Sequence, residues 1–200
     1  MDYLWTPWRY AYVTEADRKT RQGIPEELAA FPNDVGCVFC NILGAADYAI
    51  AHGMDAPAAD RAALIVHRAE RNYICLNRYP YDSGHIMIVP REHQSSLAGL
   101  APATAREMMD LARRAECALA ALYSPDGFNF GLNLGKSAGA GVTGHLHLHA
   151  LPRWAGDTNF MTVIGETRVL PEDLATTWQR MRSAFAMNAS NVADGRQATP

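Results

Sequence analysis

No stretch of this chain reaches the ~18 consecutive apolar residues of a membrane span, and the N-terminus has no apolar run of the signal-peptide kind. The expectation is a cytoplasmic protein with no membrane partner. Basic charge is not in excess. The formal net charge is −3, which offers no general field for nucleic acid. Only four cysteines are present, and in a reducing compartment they read as metal ligands or buried thiols rather than disulfides. No Asp or Glu stands close in sequence to the densest histidine cluster. That weighs against the catalytic metal sites that combine His-x-His pairs with carboxylates. A repeat of short period and a low-complexity segment are both lacking.

The chain does have apolar residues in quantity. At 48% of 200 residues they suffice for the core of one ordinary domain with arms. The most informative stretch is Gly144-His145-Leu146-His147-Leu148-His149-Ala150-Leu151-Pro152-Arg153. Successive side chains of a strand point to opposite faces, so His145, His147 and His149 share one face while Leu146, Leu148 and Ala150 take the other. A plain core strand would not carry three imidazoles that cost free energy when buried unpaired. Upstream, Gly135 to Gly144 is flexible and glycine-rich, which lets backbone N–H groups approach an anion. A row of imidazoles beside such a loop points to phosphoryl or nucleotidyl chemistry.

Read in order, residues 1–34 form an arm. Its aromatic start, Leu4 to Val13, has no clear period and is expected to pack on the domain body or on a second subunit. Asn41 to Tyr48 suits a short helix. Strands are expected at Ala62–His67, Tyr73–Asn77 and His85–Pro90, the last two joined by a turn-rich hairpin. Pro102 to Tyr123 carries Met108, Leu111, Ala112, Ala115, Leu119 and Leu122 at helical spacing, with a proline to start it and Ser124-Pro125-Asp126-Gly127 to stop it. It is predicted to be the one main helix covering the sheet. Phe128–Leu134 alternates as a strand and makes a second hairpin with the histidine strand. A further strand at 160–169, a helix from Pro171 to about Ala186 and a disordered tail over 190–200 complete the expectation, with 158–189 as a C-terminal extension. Strands with one dominant helix define an α+β layer fold. Cys75 and Cys117 are expected to be small buried apolar residues.

Two motifs carry alternatives. Cys37-Val38-Phe39-Cys40 is either half of a zinc site or a redox pair. The redox reading needs a helix directly after a strand, and Pro32-Asn33-Asp34 reads as a loop, so zinc is favoured. Gly135-Lys136-Ser137 hints at a P-loop, but that motif needs a second glycine where Phe130 stands and a helix where glycines continue.

These residues resemble a known family. His145 to Leu151 matches the His-φ-His-φ-His-φ-φ signature of the histidine-triad superfamily of nucleotide hydrolases and transferases. Leu76-Asn77-Arg78 and Gly84-His85-Ile86-Met87-Ile88-Val89-Pro90 look like the nucleotide-binding hairpin of its fragile-histidine-triad branch. The aromatic N-terminus, the Cys-x-x-Cys and the Trp154 to Phe160 tail are similar to bacterial members related to diadenosine tetraphosphate phosphorylases. The resemblance covers roughly 35–157.

The resemblance implies roles. His147 would be the nucleophile, attacking the α-phosphorus of a dinucleoside polyphosphate to form a nucleotidyl-histidine. His149 would orient the triad, and His145 would join His147 and His149 as its third catalytic member. Asn133 and backbone N–H groups of Gly141, Val142 and Thr143 would hold phosphate oxygens. Gly141 and Val142 stand where eukaryotic-type relatives often carry a glutamine. Asn77 and His85 would lie at the base and ribose pocket, with Ile65, Ile74 and Leu76 as its walls. Cys37, Cys40, His93 and His145 would close a structural zinc site. A homodimer is implied, its sheets joined across the two-fold axis. A nucleotide-binding sensor, or transfer of the nucleotide to a sugar phosphate, remain open beside the hydrolase or phosphorylase reading.

Overall fold

The computed structural model describes residues 23–157 and 172–193. The aromatic start of the arm, the expected strand at 160–169 and most of the tail lie outside the described residues. Among the described residues five strands form one sheet: β1 (Ile65–Arg68), β2 (Asn72–Leu76), β3 (Ile86–Pro90), β4 (Gly127–Leu132) and β5 (Leu148–Arg153). Their order is β1-β2-β3-β5-β4, and every pairing is antiparallel. The histidine segment thus inserts between the first hairpin and β4.

The central strands β2 and β3 are buried on both faces, and the alternation of apolar residues decides which core each side chain serves. In β2 and β3, Ile74, Leu76, Ile86 and Ile88 enter one core, whereas Tyr73, Cys75, Met87 and Val89 enter the other. The first core is covered by α3 (Pro102–Tyr123) and α4 (Leu174–Ala193). The second is covered by α1 (Val38–Ala51) and α2 (Ala56–Ala62). The expected α+β layer fold is observed: α3 spans the predicted residues, and α4, the helix expected in the C-terminal extension, packs beside it on the same core. Trp178 on α4 donates its indole N–H to the carbonyl of Ile65 at 2.8 Å, and Met181 and Phe185 are sealed into the core.

Several local signals explain the helices. Pro102 occupies the first turn of α3, and Ser124 ends it in the left-handed region at φ 44°. Asp55 caps α2, its carboxylate accepting from the Ala58 N–H at 3.1 Å. Strand β1 starts at Ile65, because the predicted Ala62–Ala63 stretch belongs to the end of α2 and its cap. Cys75 is buried as expected, but Cys117 is exposed on α3, because position 117 falls off the apolar face of that helix.

Candidate active site and metal centre

Strand β5 pairs with β3 through Met87↔His149 and Ile88↔Leu148. Before Leu148 the chain leaves the ladder yet keeps the alternation. Leu146, Leu148 and Ala150 enter the α3/α4 core. The three histidine rings gather on the other side, His147 and His149 with centroids 4.8 Å apart. His145 and His147 are 1% and 5% exposed.

The hydrogen-bond partners assign the ring protons. His145 donates through Nε2 to the carbonyl of Pro90 at 2.9 Å, which leaves the Nδ1 lone pair facing Cys37 Sγ at 3.3 Å and Cys40 Sγ at 3.5 Å. His147 donates through Nδ1 to the carbonyl of His145 at 2.9 Å, so its Nε2 keeps a lone pair. The N–H of Tyr81 donates to His85 Nδ1 at 3.1 Å. His85 therefore donates through Nε2 to His149 Nδ1 at 2.9 Å, and His149 carries its proton on Nε2. Burial lowers the proton affinity of His147, and it pushes His145 down to about 4, helped by the neighbouring His93 and His147 rings.

The loop before the triad supplies further donors. Among the described residues, no acceptor is paired with the backbone N–H groups of Gly141, Val142, Thr143 or Gly144. The half-buried Val142 packs its side chain on the α1/α2 core, so those N–H groups belong to an anchored loop. Asn133, also half-buried, heads the same loop directly after β4.

Cys37, Cys40, His93 and His145 converge, their ligand atoms all within 4.8 Å of one another. Cys37 caps α1 and Cys40 lies in its first turn, which fixes the two sulfurs on one side. His93 Nδ1 lies 3.4 Å from Cys40 Sγ. Without a cation the site is unfavourable for thiolates: burial, with the adjacent Cys37, pushes Cys40 up to about 12. Two sulfur and two nitrogen donors with no carboxylate suit a tetrahedral Zn²⁺ with no open position.

Other expected site residues are placed differently. His85 is 1% exposed beneath His149, so it buttresses the triad rather than lining a base pocket. Asn77 sits at the hairpin, its Nδ2 3.5 Å from both ring nitrogens of His85. Ile65, Ile74 and Leu76 do not wall one pocket. Each is at most 2% exposed, and Ile65 belongs to a different core from the other two, because a sheet covered on both faces commits its inward side chains to packing. The sequence reading missed Phe39, whose ring centroid lies 4.8 Å from that of His147, and Pro90, whose carbonyl fixes His145. Phe39 was visible in the sequence only as a residue enclosed by the Cys-x-x-Cys pair.

A segment that presents three alternate histidines as it runs into β5, directly after a glycine-rich loop, defines a histidine-triad protein. Comparison with known proteins agrees. The HIT domain model matches residues 58–156, leaving Cys37 and Cys40 outside the match. AP-4-A phosphorylase of Mycobacterium tuberculosis is 36% identical over 183 residues, which span 92% of this chain and 84% of that protein. The asymmetrical bis(5'-nucleosyl)-tetraphosphatase of Schizosaccharomyces pombe is 23% identical over 137 residues, 68% of this chain and 75% of that enzyme. A Zn-bound histidine triad family protein from Mycobacterium smegmatis superposes with a TM-score of 0.57 at 26% identity, covering 77% of this chain and 96% of that one. The chain belongs to the HIT family.

Proposed function

We propose that this protein cleaves dinucleoside polyphosphates through a covalent nucleotidyl intermediate on His147. The supporting observation is the tautomer of that ring: Nδ1–H is tied to the His145 carbonyl, so the Nε2 lone pair is available to attack phosphorus. Attack forms an N–P bond at the α-phosphorus, and the P–O bond to the departing nucleoside polyphosphate breaks. Positive charge that develops on the imidazole is stabilised by the same carbonyl. The N–H groups of Gly141 to Gly144 face no competing acceptor among the described residues, and they bind the phosphoryl oxygens. His149, held by His85, contributes an N–H donor beside the nucleophile. Water then releases a nucleoside monophosphate, or inorganic phosphate a nucleoside diphosphate, as the N–P bond breaks.

In this reading Cys37, Cys40, His93 and His145 hold a structural zinc ion that clamps α1 to the histidine segment. The similarity to an AP-4-A phosphorylase and to a tetraphosphatase supports the substrate class. Strand β4 pairs only with β5 among the described strands and leaves Phe130 39% exposed, which supports a homodimer joined at that edge; gel filtration tests it. Among the described residues no helix is long and apolar enough to cross a membrane.

The test is a steady-state assay with diadenosine tetraphosphate, with and without inorganic phosphate. Cleavage that yields nucleoside diphosphate only when phosphate is added identifies a phosphorylase. Cleavage in water alone identifies a hydrolase. Tight binding with no turnover under either condition overturns the enzymatic reading in favour of a sensor.

A further inference from the structure

Phe39 has no polar side-chain atom and is 3% exposed, yet its place is unusual for a core residue. It lies between Cys37 and Cys40 of the metal cluster, and its ring lies against two members of the triad. Its centroid is 4.8 Å from His147, with the planes at 42°, and 5.5 Å from His145. From another side His149 meets His147 nearly edge-on, at 73°. Phe39 is itself held: its carbonyl accepts the Tyr73 hydroxyl at 2.8 Å, and Tyr73 is fully buried.

The nucleophile needs this support. The terminal torsion of a histidine is broad and only weakly fixed by its own chemistry. The single bond from Nδ1 to the His145 carbonyl fixes a direction and leaves the ring plane soft. A flat aromatic face fixes the plane, and small misplacements of a reacting group are costly.

We propose that Phe39 is a positioning residue for His147: its ring, fixed between the two cysteines, sets the plane in which the nucleophile presents Nε2 to phosphorus. The proposal rests on the reading of His147 as nucleophile. It differs from simple core filling, in which any apolar side chain of similar size would serve.

Phe39→Leu separates the two. It keeps an apolar side chain and removes the flat face. Positioning predicts that the folded, zinc-loaded variant loses about 10- to 100-fold in kcat while KM stays within about two-fold. It also predicts a change in the ¹⁵N NMR signals of the His147 ring, from one Nδ1–H tautomer in the natural protein to a mixture of both. If Phe39→Leu does not fold, Phe39→Met decides the same question with a longer side chain. Unchanged kcat together with a single retained tautomer overturns the proposal and leaves Phe39 a core residue. The NMR arm needs no substrate, so it stands even if the natural protein fails to cleave dinucleoside polyphosphates.

Discussion

His85 Nε2 donates to His149 Nδ1 across 2.9 Å, from the position just before β3, the strand that pairs with β5. Removing that bond frees the His149 ring to flip its tautomer and to turn away from His147. His85→Ala is expected to lower kcat on the order of 10²-fold, the cost of a misplaced catalytic group. Metal content should be unchanged, because His85 is not one of the four converging ligand residues. Steady-state kinetics and metal analysis check both halves of this expectation.

The cluster of Cys37, Cys40, His93 and His145 proposed to hold zinc joins a helix start, a loop and the triad segment, three pieces distant in sequence. Structural zinc contributes folding free energy directly. Cys40→Ser, or treatment of the natural protein with a strong chelator, should remove the metal. A loss of about 2 kcal/mol would lower Tm by roughly 4–8 °C. Metal quantitation alongside calorimetry tests this. A full complement of zinc in Cys40→Ser would contradict the assignment of ligands.

His67 provides the pH dependence. It stacks on Phe185 with centroids 5.3 Å apart, and its Nε2 accepts from Arg114 at 3.2 Å. Burial first, then the charges of Arg114 and Arg182, push it down to about 4, against a smaller opposing pull from Glu107. The unfolded chain protonates this histidine near its ordinary value of about 6.5, whereas the folded one resists. Its stabilising effect is therefore full above pH 6.5 and is lost as pH falls from there towards 4. Denaturant titrations across that window should show a shallower acid loss in His67→Gln than in the natural protein.

Phe185 anchors α4. It is 1% exposed in the core between α3, α4 and the sheet. Phe185→Ala should cost about 3–5 kcal/mol, the usual range for a buried phenylalanine, and denaturant unfolding measures it. If α4 packed only loosely on the sheet, the cost would fall well below that range.

The sequence was readable where periodicity and special residues acted together. Met108, Leu111 and Ala115 marked α3 because one stripe of a long helix is apolar, and Pro102 and Ser124 set its ends. His145, His147 and His149 marked the site because three imidazoles at period two have no role in an ordinary core. Helix α2 escaped notice although Asp55 and Pro57 carry its start signal. Seven residues that are mostly alanine have almost no amphipathic pattern. His85 looked like a pocket residue because one dimension shows only its place in a hairpin. That it lies under His149 depends on the β3–β5 register, which is long-range. The same holds for Ile65 and Leu76, whose opposite cores follow from helices packed on both faces of the sheet.

The central claim is that His147 Nε2 bonds to phosphorus. It is tested most directly by rapid quenching of the protein with diadenosine tetraphosphate, followed by intact-protein and peptide mass spectrometry. The account predicts a nucleoside monophosphate adduct on His147 in the natural protein, with neither adduct nor measurable turnover in a folded, zinc-loaded His147→Ala. Turnover at the natural rate in that variant, or an adduct mapped to another residue, would contradict it.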